Sequence, residues 1–207
     1  VENNSNNYDY QNADLGWAHS YLLPVIDDIL TDLKATKIFE LGCGNGSVAN
    51  WLHLKKIDIV GIDYSQTGIG QANKTFPDVR LEEGSAYENL RERFGQFPVV
   101  MSLEVVEHLY FPKVFAKNVF DLLEPDGIAV ISTPFHGYWK NLALALTGKL
   151  DAHFTALWDG GHIKFWSENT LRKLLSEAGF IDIKFRRAGR FSVLAKSMIA
   201  IARKPSN

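Results

Sequence analysis

An open α/β sheet of parallel strands joined by crossover helices is the fold class this sequence predicts, and three observations predict it. Short apolar runs alternate with segments of helical periodicity along most of the chain, a pattern that buries strands between two helical layers. The first run empties into a glycine-rich loop, Gly42-Cys43-Gly44-Asn45-Gly46, that opens a helical pattern. The second run ends on an acid, Asp63, 19 residues past Gly44.

The elements follow in order. Tyr21, Leu22, Val25, Ile26, Ile29, Leu30 and Leu33 recur at helical spacing and predict a leading helix over 17–33, interrupted by Pro24 near its start. Apolar runs at 37–41, 57–62, 79–81, 99–103 and 128–132 predict five strands separated by helical segments. The helix after the fourth strand places Phe111, Val114, Phe115, Val119 and Leu122 on one face and stops at the turn Glu124-Pro125-Asp126-Gly127. Ser167 is placed to cap a helix whose buried face is Leu171, Leu174, Leu175 and Ala178, with Gly179 as its C-terminal cap. Residues 180–185 and 196–203 predict two last strands. Between Phe135 and Trp166 lies a segment the sheet does not need, with about twice the average aromatic content of 12%.

Length and composition set bounds. The 207 residues, 46% hydrophobic and 22% charged, support one domain with a sizeable core. A net charge of −2 and a pI near 6.3 provide no broad attraction for nucleic acid or anionic membrane, and the only basic cluster is at 184–190. Cys43 is the sole cysteine, so no internal disulfide forms. With no signal-peptide-like segment and no apolar run near the ~18 residues of a membrane span, the expected location is the cytoplasm. Residues 1–16, asparagine-rich at their start, are expected to be loose.

Glycines at alternate positions permit a sharp turn and close approach of a ligand, and a carboxylate at Asp63 can accept hydrogen bonds from two ribose hydroxyls. The pair points to a nucleoside-containing cofactor. A dinucleotide loop needs a third glycine where Ser47 stands, which disfavours a nicotinamide-dependent oxidoreductase. The G-x-G-x-G spacing preceded by Glu40 resembles the first motif of the class I S-adenosylmethionine-dependent methyltransferases. That resemblance implies a Rossmann-like, mostly parallel seven-stranded sheet with an antiparallel C-terminal pair and helices on both faces. It also implies S-adenosylmethionine as cofactor, held by Glu40, Gly42, Cys43, Gly44, Gly46, Asp63, Tyr64, Ser85, Ala86, Ser102 and Leu103. His19 and Tyr21 are candidates to close over it. One motif departs from the family: where an acid usually follows the third strand's glycine, the run here is Gly84-Ser85-Ala86-Tyr87. Ser85 and the Ala86 N–H then remain to meet the adenine.

Glu104, Glu107 and His108 stand at i, i+3 and i+4 after the fourth strand, a spacing that one helical turn would gather on a common face. Like charges this close invite a bound cation or a shared proton. Gly160-Gly161-His162 supplies a further histidine after the aromatic segment. This E-x-x-E-H run, with Ile131-Ser132-Thr133-Pro134, is similar to the O-methyltransferases of ubiquinone biosynthesis and the small-RNA 3′-terminal 2′-O-methyltransferases. The resemblance to the RNA enzymes implies Glu104, Glu107, His108 and His162 as ligands of a divalent metal, with Mg²⁺, Mn²⁺, Fe²⁺ and Zn²⁺ all compatible. The other readings of the run are His108 as general base, with Glu107, and a structural role.

The expected function is methyl transfer from S-adenosylmethionine to an oxygen of a small phenol- or quinol-like molecule, with 135–166 as lid or substrate wall. RNA 2′-O-methylation and a non-catalytic cofactor-binding module are the alternatives. The first asks for a basic stripe that the charge does not supply.

Overall fold

The computed structural model describes residue 10, residues 12–154 and residues 156–206. A helix α1 (His19–Asp32) leads into β1 (Lys37–Leu41), α2 (Ser47–Leu54), β2 (Asp58–Asp63), α3 (Gln66–Thr75), β3 (Arg80–Glu83), α4 (Leu90–Phe94) and β4 (Phe97–Leu103). The chain continues through α5 (Pro112–Leu122), β5 (Leu123–Pro134), α6 (Tyr138–Leu146), α7 (Leu150–Phe154), α8 (Glu168–Glu177), β6 (Ile181–Ala188) and β7 (Ser197–Arg203).

The seven strands form one sheet in the order β3-β2-β1-β4-β5-β7-β6. All neighbours are parallel except β7, which runs antiparallel to both β5 and β6. The expected topology is therefore the observed one. Alternation along the strands divides the core: Ile38, Val99, Met101, Val130 and Ile199 meet α1, α2 and α3, whereas Phe39, Val100, Ile131 and Ala200 meet α4, α5 and α8. Phe115 and Leu122 of α5 are fully buried, each a contribution of roughly 1.5–3 kcal/mol from surface removed from water. Ser167 Oγ accepts the Thr170 N–H, and Thr170 Oγ1 accepts the Ser167 N–H, so the α8 cap is reciprocal.

One local expectation changes. The residues 124–127 do not end the helix in a separate turn: α5 runs into β5 through Leu123, which already pairs with Phe97. The register then shifts so that Ile128 pairs with Val99, and the residues between bulge out with Asp126 at φ 63°. The aromatic segment contains two helices, α6 and α7, neither of which buries a residue. Residues 1–9 and 11 of the segment expected to be loose lie outside the described residues. Residues 10, 12 and 14 have defined contacts: the Tyr10 ring lies against Gly44 and Gly68, and Asn45 Nδ2 donates to the carbonyls of Asn12 and Asp14. No helix among the described residues is long and apolar enough to cross a membrane.

Candidate functional site

Two clusters of polar side chains occupy the C-terminal edge of the sheet, where α/β folds leave a crevice at the point where strand order reverses. β1 and β4 lie side by side there. Ser102 Oγ donates to the carbonyl of Leu41 at 2.7 Å, so the loops leaving the two strands start from tied positions.

The first cluster is the glycine elbow. Gly42, Gly44 and Gly46 all have left-handed φ, of 87°, 55° and 75°. A Cβ on Gly42 would collide with Val105, and one on Gly44 with the Tyr10 hydroxyl, so protein packing already claims the space that these glycines leave open. The backbone N–H groups of Gly42 and Cys43 both donate to the Ile62 carbonyl, at 2.8 and 2.9 Å. Asp63 closes the elbow: Oδ2 accepts the Gly44 N–H and Oδ1 the Ser65 N–H, each at 2.8 Å. Burial nevertheless raises its pKa, against those backbone hydrogen bonds.

Glu40 is buried beside the elbow, and its Oε2 has no hydrogen-bond partner among the described residues. Burial, with the charge of Asp63 adding to it, pushes its carboxyl up to about 8. Burial also drives the Cys43 thiol well up, so it stays protonated and is no nucleophile. Of the other expected cofactor residues, Tyr64 is 64% exposed beside Asp63. Ser85 Oγ accepts the Tyr87 N–H, and the Ala86 carbonyl accepts from Asn118. Leu103 is buried, and the Ser102 hydroxyl is committed to Leu41. His19 Nδ1 accepts the Gly16 N–H, and the Tyr21 hydroxyl lies 3.4 Å from Ser197 Oγ.

The second cluster follows β4. The expected single helical turn does not form, because Glu104 adopts a left-handed φ of 55° and only Val106–His108 make a short 3-10 turn. This break sends the two glutamates different ways. Glu104 turns to the β5–β7 seam, accepting Ser132 Oγ at 2.7 Å and Ser197 Oγ at 3.1 Å. Burial lifts its pKa to about 7 against those hydroxyls and the charge of Lys140.

Glu107, His108 and His162 come together, with one ligand-type atom from each within 4.8 Å of the others. His162 reaches Glu107 across the sequence because the Ile163 and Lys164 N–H groups both donate to the Glu107 carbonyl, at 3.0 Å. Glu107 Oε2 accepts Thr133 Oγ1 at 3.0 Å, while Oε1 has no hydrogen-bond partner among the described residues. Burial, then the charge of Glu104, raises Glu107 well above the ordinary carboxyl range.

The two imidazole Nε2 atoms lie 3.9 Å from Glu107 Oε1, too long for hydrogen bonds. They are not ion pairs either: burial lowers His108 and, joined by the charges of His108 and His153, takes His162 down to about 4. With Nδ1–H of His108 donating to the Gly160 carbonyl at 2.8 Å, Nε2 carries the lone pair that faces Glu107. A buried carboxyl oxygen with no hydrogen-bond partner among the described residues, flanked by neutral imidazoles, becomes a donor set for a divalent cation once the carboxyl ionises.

The aromatic segment stands over this cluster. Trp158 meets the rings of His108 and His162 edge-on at 5.8 and 5.5 Å, and Phe154 stacks on His136. A cavity of about 450 Å³ opens beside Phe154 and Trp158. Sequence reasoning quoted Asn45 and Thr133 within motifs without giving them a role and passed over Lys140, Ser197 and Tyr10; each acts through a contact between distant segments.

Comparison with known proteins identifies the family and the fold. The family model described as a methyltransferase domain matches residues 15–184. The chain is 32% identical over 159 residues to a ubiquinone biosynthesis O-methyltransferase of Azorhizobium caulinodans, an alignment of 73% of this chain and 61% of that protein. It is 27% identical over 157 residues to the protein of the same name from Psychrobacter arcticus, covering 72% and 60%. The chain thus spans about three fifths of the length of these curated relatives. Among solved structures, the methyltransferase domain of bacterial CtHen1-CN superposes with a TM-score of 0.67 at 21% identity, covering 87% of this chain and 96% of that one. Magnesium protoporphyrin IX methyltransferase (ChlM) from Synechocystis PCC 6803 with bound SAH gives 0.67 at 16% identity, covering 94% and 90%. At these identities the superpositions establish the fold.

Proposed function

We propose the reaction of this chain from one premise: it belongs to the methyltransferase domain family. It is an S-adenosylmethionine-dependent methyltransferase, and its acceptor atom is an oxygen of a small hydroxylated, phenol- or quinol-like molecule. The observation that carries the acceptor assignment is the convergence of Glu107, His108 and His162 beside the elbow. Such a donor set suits a hydroxyl that must lose its proton.

The residues present fit both groups. A cationic ligand would restore the ionised form of Glu40, whose buried Oε2 lacks a partner. Asp63 and the backbone of 42–46 would hold the adenosyl moiety, with Tyr64, Ser85 and Ala86 around its base. Glu107, His108 and His162 would hold a divalent cation through Oε1 and the two Nε2 atoms. When bound, the cofactor supplies an electrophilic methyl on a sulfonium, and the cation supplies Lewis acidity to the acceptor hydroxyl.

The rest is positioning by the protein. The tie between Ser102 and Leu41 keeps the two clusters in register, so that donor and acceptor meet in one geometry. Thr133 holds Glu107 from its other oxygen, and the Gly160 carbonyl sets the His108 ring, so that Oε1 and Nε2 are turned towards one another across the site. Glu107 would ligate as the carboxylate; in a site without the cation, Nε2 of His108 would instead accept the acceptor's proton. Residues 135–166 wall the acceptor side and shed water from it.

The test is transfer of an isotopically labelled methyl group to a panel of phenols and quinols, with and without chelator. Expected is O-methylated product, lost on chelation and restored by Mg²⁺, Mn²⁺, Fe²⁺ or Zn²⁺. Turnover unchanged in chelator removes the cation, and absence of product from a protein that binds S-adenosylhomocysteine removes the acceptor class. RNA 2′-O-methylation would use the same donor set on a ribose diol; salt-titrated RNA binding separates it, and the net charge of −2 speaks against it.

A further inference from the structure

The aromatic segment carries a second set of basic side chains, apart from the imidazoles beside Glu107. His136 follows β5, Lys140 stands in the first turn of α6, and His153 lies on α7. The rings of His136 and His153 meet with centroids 5.3 Å apart, and Phe154 and Phe165 pack against His136. Lys140 Nζ donates to the carbonyls of Phe135 and Lys196 at 2.9 and 3.3 Å, which fixes the ammonium at the β5–β7 seam.

These groups act on one another as like charges do. Burial, joined first by the charges of Lys140 and His153, takes His136 down to about 4, and burial followed by Lys140 lowers His153. Glu104 is the acid that acts on Lys140, and burial still brings that ammonium down to about 8. The charges acting on the two imidazoles are cationic; Asp151, exposed at the start of α7, is not among them. Asn141 lies near enough to favour a protonated His136, yet its buried Oδ1 has no partner in hydrogen-bonding geometry among the described residues. What the group lacks is a negative charge.

The aromatic wall joins this group to the donors of the acceptor site. Phe154 meets His136 and His153, Trp158 meets His108 and His162, and both rings border the cavity of about 450 Å³. The charge of His153 also acts on His162, so the two sets are neighbours.

We propose that the acceptor carries an oxyanion, a carboxylate or phosphoryl group, apart from its reacting hydroxyl, and that Lys140, His136 and His153 bind it. This rests on the acceptor site given above and narrows its substrate class. The imidazole N–H groups and the ammonium are the donors that an oxyanion takes, and its charge offsets theirs. Phe154, Phe165 and Trp158 then cover the apolar body between the two polar ends. Lys140, His136 and His153 are specificity residues; methyl transfer does not pass through them.

The experiment compares two phenols, para-hydroxyphenylacetate and its neutral amide para-hydroxyphenylacetamide, whose methylene keeps the side-chain charge from altering the phenol. Their dissociation constants are measured by NMR titration with the full chain, for wild type, His153→Gln and Lys140→Met. Wild type is expected to bind the acid at least about tenfold more tightly than the amide, and each variant should bring that ratio below about threefold. Inorganic phosphate should compete with the acid and leave the amide alone. A ratio near one in wild type overturns the inference. So does a variant series that weakens both ligands equally, since a merely structural role moves both Kd values and keeps their ratio. Tighter binding of the amide in phosphate would mean that the site takes a free anion, which overturns the assignment to the acceptor. An intact preference for the acid with no O-methylated product supports the anion site and removes the oxygen-acceptor reading, so the two failures are distinct.

Discussion

The two halves of the sheet's C-terminal edge are built to different standards of completion. At the elbow, Asp63 has a backbone N–H on each oxygen, Asn45 uses both ends of its amide, and the spaces beside the glycines are filled by Val105 and Tyr10. On the acceptor side, Glu107 keeps an oxygen pointed at two imidazoles 3.9 Å away, and the helices above it, α6 and α7, bury nothing. The elbow is a preformed socket with one buried carboxyl, Glu40, whose Oε2 lacks a partner among the described residues, whereas the acceptor side is a set of donors held apart by their supports. On the proposed function, preorganisation is concentrated on the cofactor side and the uncommitted surface lies on the acceptor side.

The strongest test of this contrast is Glu107→Gln. It keeps the shape and an acceptor for Thr133 but cannot ionise, so turnover should fall by at least about a hundredfold while thermal unfolding stays within a few degrees of wild type. Activity retained in that variant would mean that the acceptor side is as structural as the elbow. Next in size, Asp63→Ala frees the Gly44 and Ser65 N–H groups and should weaken S-adenosylhomocysteine binding in calorimetry by roughly ten- to a hundredfold, with a loss of stability as well. An unchanged affinity breaks the socket half of the comparison.

A third effect is smaller and depends on pH. Glu40 titrates at about 8 and Glu104 at about 7 in the folded chain, against an ordinary value of 4.5. Between those values the folded state binds more protons than the unfolded one, so stability falls as pH rises through that window. The ligand-free Tm should therefore drop by several degrees from pH 5.5 to pH 8.5, and Glu40→Gln should flatten the slope. A Tm that rises over this range refutes the buried, protonated carboxyls. Smallest of all, Trp158→Ala should leave stability nearly unchanged, within about 1 kcal/mol, since its ring is 41% exposed. It should raise the acceptor KM several-fold through its contacts with His108 and His162. Equal effects on cofactor and acceptor KM would erase the distinction between the halves.

Much of this molecule is legible in its sequence because local patterns carry it. Alternating apolar runs mark all seven strands to within a few residues, and Ser167 marks the start of α8, because strand burial and helix capping act over short spans of chain. Asp63 and the elbow are readable for the same reason: a turn and a strand end are local. Glu104 shows where this stops. Its i, i+3 spacing to Glu107 describes a helix, but a left-handed φ after β4 breaks the turn and delivers the carboxylate to Ser132 and Ser197. No neighbouring residue announces that break.

From sequence alone come the sheet, the elbow and the class of cofactor, since periodicity, glycine spacing and a strand-terminal acid are properties of contiguous residues. Tertiary structure alone decided which acids and imidazoles meet. His162 reaches Glu107 because two amides of the returning chain bind one carbonyl, and Tyr10 lies against Gly44 while Asn45 holds the carbonyls of Asn12 and Asp14. Those contacts join segments more than thirty residues apart, and their partners are chosen by the shape of the folded edge rather than by any pattern along the chain.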